Sequence, residues 1–191
     1  GHWLTCELSG GFDAKGGTWP ELREAQLMAT QILPNTAMAV ITDAGDPKDI
    51  HPKRKQPVGA RLALAALAMT YGKDLVSSGP IYDSMSIDGD KAVLRFKSIG
   101  GGLELRDDLE RISEANPMAG FTIAGEDKRF VAAKVHVVGD SLVVSSEKVA
   151  RPVAVRYGWA DVPAPLLWNK DGLPASPFRT DDFPGITQPK K

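Results

Sequence analysis

Between two segments of helical periodicity lies an unbroken apolar run, Ala37-Met38-Ala39-Val40-Ile41. A strand that is apolar at consecutive positions has both faces buried, the condition of a parallel sheet covered by helices. Upstream, Thr18-Trp19-Pro20-Glu21 has the pattern of a capping box: threonine caps an orphan amide, glutamate reaches back, and proline is tolerated in the first turn. Leu22, Ala25, Met28 or Ala29, and Ile32 then share one face of a helix that runs to about Leu33, where Pro34-Asn35 stops it. Downstream, Val58, Leu62, Ala65 or Ala66, and Met69 recur at helical spacing over 58–71, and Gly72 ends that helix. With an apparent strand over 3–8, the first third reads as strand, helix, strand, helix. Ligand chemistry in open α/β sheets collects beyond the carboxyl ends of the strands. The loop that leaves Ile41 at such an end contains Gly45-Asp46-Pro47-Lys48-Asp49-Ile50-His51-Pro52.

From about Gly79 the pattern changes. Short alternating segments over 84–87, 91–96, 103–105, 120–124, 130–138, 141–145 and 153–159 are separated by turn residues, and Asp88-Gly89-Asp90 and Gly139-Asp140 are hairpin turns with a glycine for φ > 0. This second part predicts an antiparallel β-sandwich or half-barrel. Residues 106–115 form a candidate helical insertion, and 169–191, rich in Pro, Asp and Lys, an irregular wrap over the surface. The expected fold class is therefore α/β followed by all-β, with a boundary near Ser77-Ser78-Gly79-Pro80 dividing 1–78 from 79–191.

Composition excludes several functions. Lys and Arg number 23 against 24 Asp and Glu, so no net field draws nucleic acid or an anionic membrane. The single cysteine, Cys6, leaves no intrachain disulfide framework and no multi-cysteine zinc site, and reads as a small buried strand residue. No apolar run approaches the roughly 20 residues that cross a bilayer. There is no signal-peptide pattern, and an apparent strand lies close behind residue 1, which leads us to expect a cut end.

The chain has three histidines, too few for a credible metal site. His51, at a strand-to-helix loop beside Asp46 and Asp49, has the surroundings of a general base, since a carboxylate that fixes the imidazole tautomer lets the ring take a serine proton. The same residues also fit a solvated turn whose acids cap the next helix. Lys53 and Arg54 are candidate binders of a substrate carboxylate, against the plainer reading of a solvated face. Tyr157, Trp159 and Trp168 suit sugar stacking, or filling of the core and seam. His136, in an alternating strand, is expected to be exposed.

The segment from Asp43 through Asp49-Ile50-His51-Pro52 and Gln56-Pro57-Val58-Gly59-Ala60-Arg61-Leu62 to Leu64 resembles the histidine block of the sialate O-acetylesterases, a family of SGNH-type serine esterases. Leu22-Arg23-Glu24-Ala25-Gln26, Gly120-Phe121-Thr122-Ile123-Ala124-Gly125-Glu126-Asp127 and the run from Asn169 to Asp181 agree in register, so the resemblance spans roughly residues 3–183. It implies a flavodoxin-like catalytic domain joined to β-sandwich modules, an extracytoplasmic setting (secreted, periplasmic or lysosomal), and removal of O-acetyl groups from sialic acids or related glycans. It also implies that His51 is general base and then general acid. The customary acid lies three residues before the histidine, where this chain has Lys48; Asp49 is the first choice for the orienting group and Asp46 the alternative.

The family's nucleophile turn, of GQSN or GDS type, is not in this sequence. Ser9, before Gly10-Gly11, is its nearest imitation, but in register its strand matches a later one, and the oxyanion-hole blocks are missing too. The resemblance therefore implies the carboxyl-terminal portion of an esterase, inactive without an amino-terminal segment or a second chain that supplies the serine. No cofactor is implied. The rival is a non-catalytic sandwich module that holds a glycan or a domain beside a vestigial histidine loop. A parallel sheet cut along one edge also leads us to expect self-association.

Overall fold

The computed structural model describes residues 3–6, 18–46, 49, 51, 53–106 and 117–188. Strand β1 (Trp3–Cys6) pairs in parallel with β2 (Thr36–Ala39), Trp3 opposite Thr36 and Cys6 opposite Ala39. Helix α1 (Trp19–Ile32) joins them and α2 (Gln56–Met69) follows β2, so strand, helix, strand, helix is the observed order. Gly72, at φ 61°, turns the chain after α2. Among the described residues no helix is long and apolar enough to cross a membrane.

Two expectations for α1 are corrected. Thr18 has helical dihedrals and makes no side-chain capping bond, because a hydroxyl caps well only from a non-helical Ncap. Glu21, the other half of the expected box, instead accepts hydrogen bonds from the backbone N–H groups of Ile186 at 2.6 Å and Thr187 at 3.0 Å. The apolar face does not enter this core either: Leu22, Met28 and Ile32 are 45%, 49% and 72% exposed. Arg23, on another face, is fully buried, and its guanidinium donates to the carbonyls of Ala160 at 2.8 Å and Asp161 at 2.7 Å. Polar satisfaction has set the helix's rotation, since a buried guanidinium requires those acceptors.

Beyond a 3-10 turn at Pro117–Ala119, the regular structure that follows α2 among the described residues is sheet. β3 (Ile81–Asp88), β4 (Lys91–Lys97), β8 (Lys134–Val138) and β9 (Ser141–Ser145) form an antiparallel sheet in the order β3-β4-β9-β8. β6 (Phe121–Ala124), β7 (Val131–Ala132), β10 (Ala154–Tyr157) and β12 (Phe178–Arg179) form a second, ordered β12-β10-β6-β7, and β5 (Leu103–Leu105) pairs with β11 (Leu167–Asn169). Gly89 and Gly139 take φ of 61° and 58° in the two expected hairpin turns. The single strand expected over 130–138 is two: β7 belongs to one sheet and β8 to the other, with the Ala133 N–H between them donating to Phe121 at 3.0 Å.

Alternation along the strands places Ala92, Leu94, Leu142 and Val144 from one sheet and Phe121, Ile123, Val155 and Tyr157 from the other in one core. Phe178 completes it, stacked on Tyr82 with centroids 4.9 Å apart. The expected irregular wrap from Asn169 is therefore corrected. Leu173 through Phe178 is buried and Phe178 enters a strand, because the backbone of this stretch finds partners inside: Ala175 N–H donates to Leu167 at 2.8 Å. The candidate insertion at 106–115 lies outside the described residues but for Arg106.

Candidate active site

The parallel pair delivers β2 into the loop that contains His51. Ala44 N–H bonds to Ile41 at 2.9 Å, and Asp46 and Asp49 then face each other as antiparallel bridge partners, which turns the chain back on itself. The Asp49 carboxylate accepts the backbone N–H of His51 at 2.8 Å, and the same Oδ1 stands 3.4 Å from His51 Nδ1. A short carboxylate bonding the backbone two residues on is the ordinary chemistry of an aspartate turn. Here it also brings an acid to one ring nitrogen of the imidazole. The His51 side chain is 81% exposed, so the ring stands at the loop's outer surface.

The base of the loop is buried and charged. Asp43, 7% exposed, receives two bonds from Arg61 of α2, Nη1 to Oδ1 at 2.5 Å and Nη2 to Oδ2 at 3.0 Å. Arg61 Nη1 also donates to the Val40 carbonyl at 2.8 Å. Arg54 approaches from the other side and donates to the Asp43 carbonyl at 3.0 Å, with its second nitrogen 3.9 Å from Oδ2. The Arg61 guanidinium lies 5.7 Å from the Trp168 ring centroid, whose face also receives Arg106 at 4.2 Å.

Of the residues expected from sequence, His51 and Asp49 are together, and Asp46 is the backbone partner of Asp49. Arg54 is turned toward Asp43, while Lys53 is exposed. Tyr157 is 1% exposed and its hydroxyl accepts Leu167 N–H at 3.0 Å; Trp168 is 7% exposed; both fill the core or the seam. Trp159 lies beside Arg156 and Arg179, each 5.4 Å from its ring. His136 is an exposed strand residue. Ser9, Lys48 and Ile50 lie outside the described residues, as does the side chain of Cys6. Among the described residues no three His, Cys, Asp or Glu side chains converge as metal ligands.

Sequence reasoning missed Asp43 and Arg61 as a pair. Their signal was present: a lone arginine in the otherwise apolar pattern of α2, and an aspartate in the turn just after the apolar run 37–41; the burial of both faces expected for that run is not observed, since Thr36, Ala37 and Met38 of β2 are only partly buried. Buried charges of opposite sign at such positions require each other.

No protein-family model matches the chain. The human sialate O-acetylesterase is 28% identical over an alignment of 183 residues, which covers 87% of this chain and 34% of the human protein. The enzyme of the same name from Pongo abelii gives the same identity and coverage. A crystal structure of a carbohydrate acetylesterase from Xanthomonas citri superposes with a TM-score of 0.83 at 45% identity, over 95% of this chain and 41% of that one. The resemblance read from the residues is thus found by both comparisons. The chain spans about a third of the length of the curated relatives it matches.

Proposed function

We propose that this chain, a relative of the sialate O-acetylesterases, is the carboxyl-terminal part of an SGNH-type serine esterase that removes O-acetyl groups from sialic acids or related acetylated glycans. In this reading residues 1–78 complete a flavodoxin-like catalytic sheet and 79–191 form a β-sandwich module. The observation that carries the proposal is the His51 ring, exposed beyond the carboxyl end of a parallel strand with the Asp49 carboxylate 3.4 Å from Nδ1. In this reading that carboxylate orients the imidazole while the other ring nitrogen takes a proton. The serine comes from a segment outside this chain. Its oxygen attacks the acetyl carbonyl as His51 takes the hydroxyl proton; His51 then returns that proton to the departing sugar oxygen, leaving acetyl-serine. Water repeats the cycle, its proton passing through His51, and acetate leaves. The exposed apolar face of α1, with Leu22, Met28 and Ile32, supports a further segment packing there.

The test is acetyl-ester turnover by this chain alone and joined to the segment that precedes it in its gene. The reading requires turnover only in the joined protein, and a loss of about 1,000-fold or more in His51→Ala, on the scale of general-base catalysis. Turnover indifferent to His51 overturns it.

A further inference from the structure

The loop that holds His51 is closed at its base by two arginines that follow the histidine in sequence. Arg61 grips the entry leg at two points, the Val40 carbonyl at 2.8 Å and the Asp43 carboxylate at 2.5 and 3.0 Å. Arg54, three residues past His51, grips the Asp43 carbonyl at 3.0 Å. Asp43 is thus the common anchor of both legs. Its carboxylate is 7% exposed and the Arg61 side chain 10%, so this is a dry, two-pronged contact of fixed geometry rather than a solvated pair. The histidine it supports is the reverse, with a side chain 81% exposed and little packing of its own.

We infer that Arg61 and Asp43 are positioning residues for the esterase reaction: the pair fixes the base of the loop and thereby the place of His51 relative to the serine. The inference rests on the reading of His51 as general base. Asp43 does not reach the imidazole in this arrangement; its two oxygens are occupied by Arg61, and the Asp49 carboxylate is the one at the ring. The Trp168 ring, against which Arg61 lies, extends the same support to β11, so the sheet-rich part of the chain contributes to the loop's placement.

The experiment uses the joined, active protein, with acetyl-ester kinetics expressed per site titrated by an acylating probe, which removes any loss due to misfolded material. Arg61→Met is expected to lower kcat by about 100-fold, the effect of a misplacement near 1 Å, with KM within about twofold. Arg61→Lys recovers part of that loss, because an ammonium restores the charge but not the fork. Asp43→Asn, which keeps the side-chain volume, shows the same selective fall in kcat, and the double variant is no worse than the single ones. An unchanged kcat per titrated site in Arg61→Met and Asp43→Asn, while His51→Ala abolishes turnover, overturns the positioning role and leaves the esterase reading standing. If His51→Ala retains full turnover, the esterase reading falls and the positioning role with it.

Discussion

Arg179, at the end of β12, donates to both carboxylate oxygens of Glu24 on α1, at 2.8 and 3.0 Å. The contact ties the second sheet to the helix of the parallel unit, and it continues inward. Asp181, 1% exposed, lies 3.9 Å from Arg179 and receives two bonds from Arg156 at 2.8 and 2.7 Å. Removing one partner of a buried pair strands the other, at a cost of about 3–5 kcal/mol, whereas Glu24 is 27% exposed and its loss leaves Arg179 still donating to the Phe183 carbonyl at 2.6 Å, so that pair is worth less. Asp181→Ala should therefore lose about 3–5 kcal/mol in urea unfolding, and Glu24→Ala only about 1 kcal/mol. Equal losses would place the strength of the junction elsewhere.

Glu21 predicts a pH dependence. Burial raises its carboxyl, but hydrogen bonds from Thr187 and Ile186 and the nearby Arg179 charge outweigh that and hold it below the usual carboxylate value. A lowered folded-state pKa means that the stabilisation is present above the ordinary glutamate value of about 4.3 and is lost as pH falls through the lowered one. The protection of the Ile186 and Thr187 amides, measured relative to their intrinsic exchange at each pH, should accordingly be lost as pH falls below the ordinary glutamate value of about 4.3. In Glu21→Gln, exchange should be faster at neutral pH and lack that acid step.

The comparison of sequence with structure separates local from non-local information. Helix positions, the Gly89 and Gly139 turns and the strand alternation were legible, because each rests on residues a few positions apart. So was the placement of His51 beyond a parallel strand. What escaped depends on partners far along the chain. Thr18-x-x-Glu21 has the letters of a capping box, but Glu21 is taken by Thr187. The apolar stripe of α1 predicted the face for burial, yet Arg23 turned the helix toward Ala160 and Asp161. The stretch after Asn169 looked like a surface tail from its prolines, and only its pairing with β11 and β10 reveals it as core. Asp43 and Arg61 are 18 residues apart and meet only because a strand and the following helix pack together.

Asn169 is fully buried and makes the central polar junction of the chain. Its Nδ2 donates to Ser78 at 3.1 Å and, more weakly, to Ser98 at 3.4 Å, while its Oδ1 accepts Leu173 N–H at 2.9 Å. Replacement by leucine keeps the volume and leaves these backbone groups without partners. The expected loss is about 3 kcal/mol, two or so unmet buried groups. Chemical denaturation of Asn169→Leu measures it; a loss below about 1 kcal/mol would mean that water replaces the amide.

Gly79 and Gly139 form a controlled pair for the cost of a methyl group. At Gly139, φ is 58° and an added Cβ meets nothing within 4 Å, so Gly139→Ala carries only the left-handed backbone penalty, about 1–2 kcal/mol. At Gly79 a Cβ would stand 2.0 Å from the Pro174 carbonyl oxygen and 2.8 Å from that of Leu173. Both are main-chain atoms of a buried segment, which no rotamer change can move aside. Gly79→Ala must push apart the start of β3 and the stretch that feeds Phe178 into the core, at about 3 kcal/mol or more, the upper range of overpacking. Thermal unfolding of the two variants decides it: a larger drop for Gly79→Ala locates a close backbone crossing there, and equal drops would refute the crossing as the constraint that requires glycine.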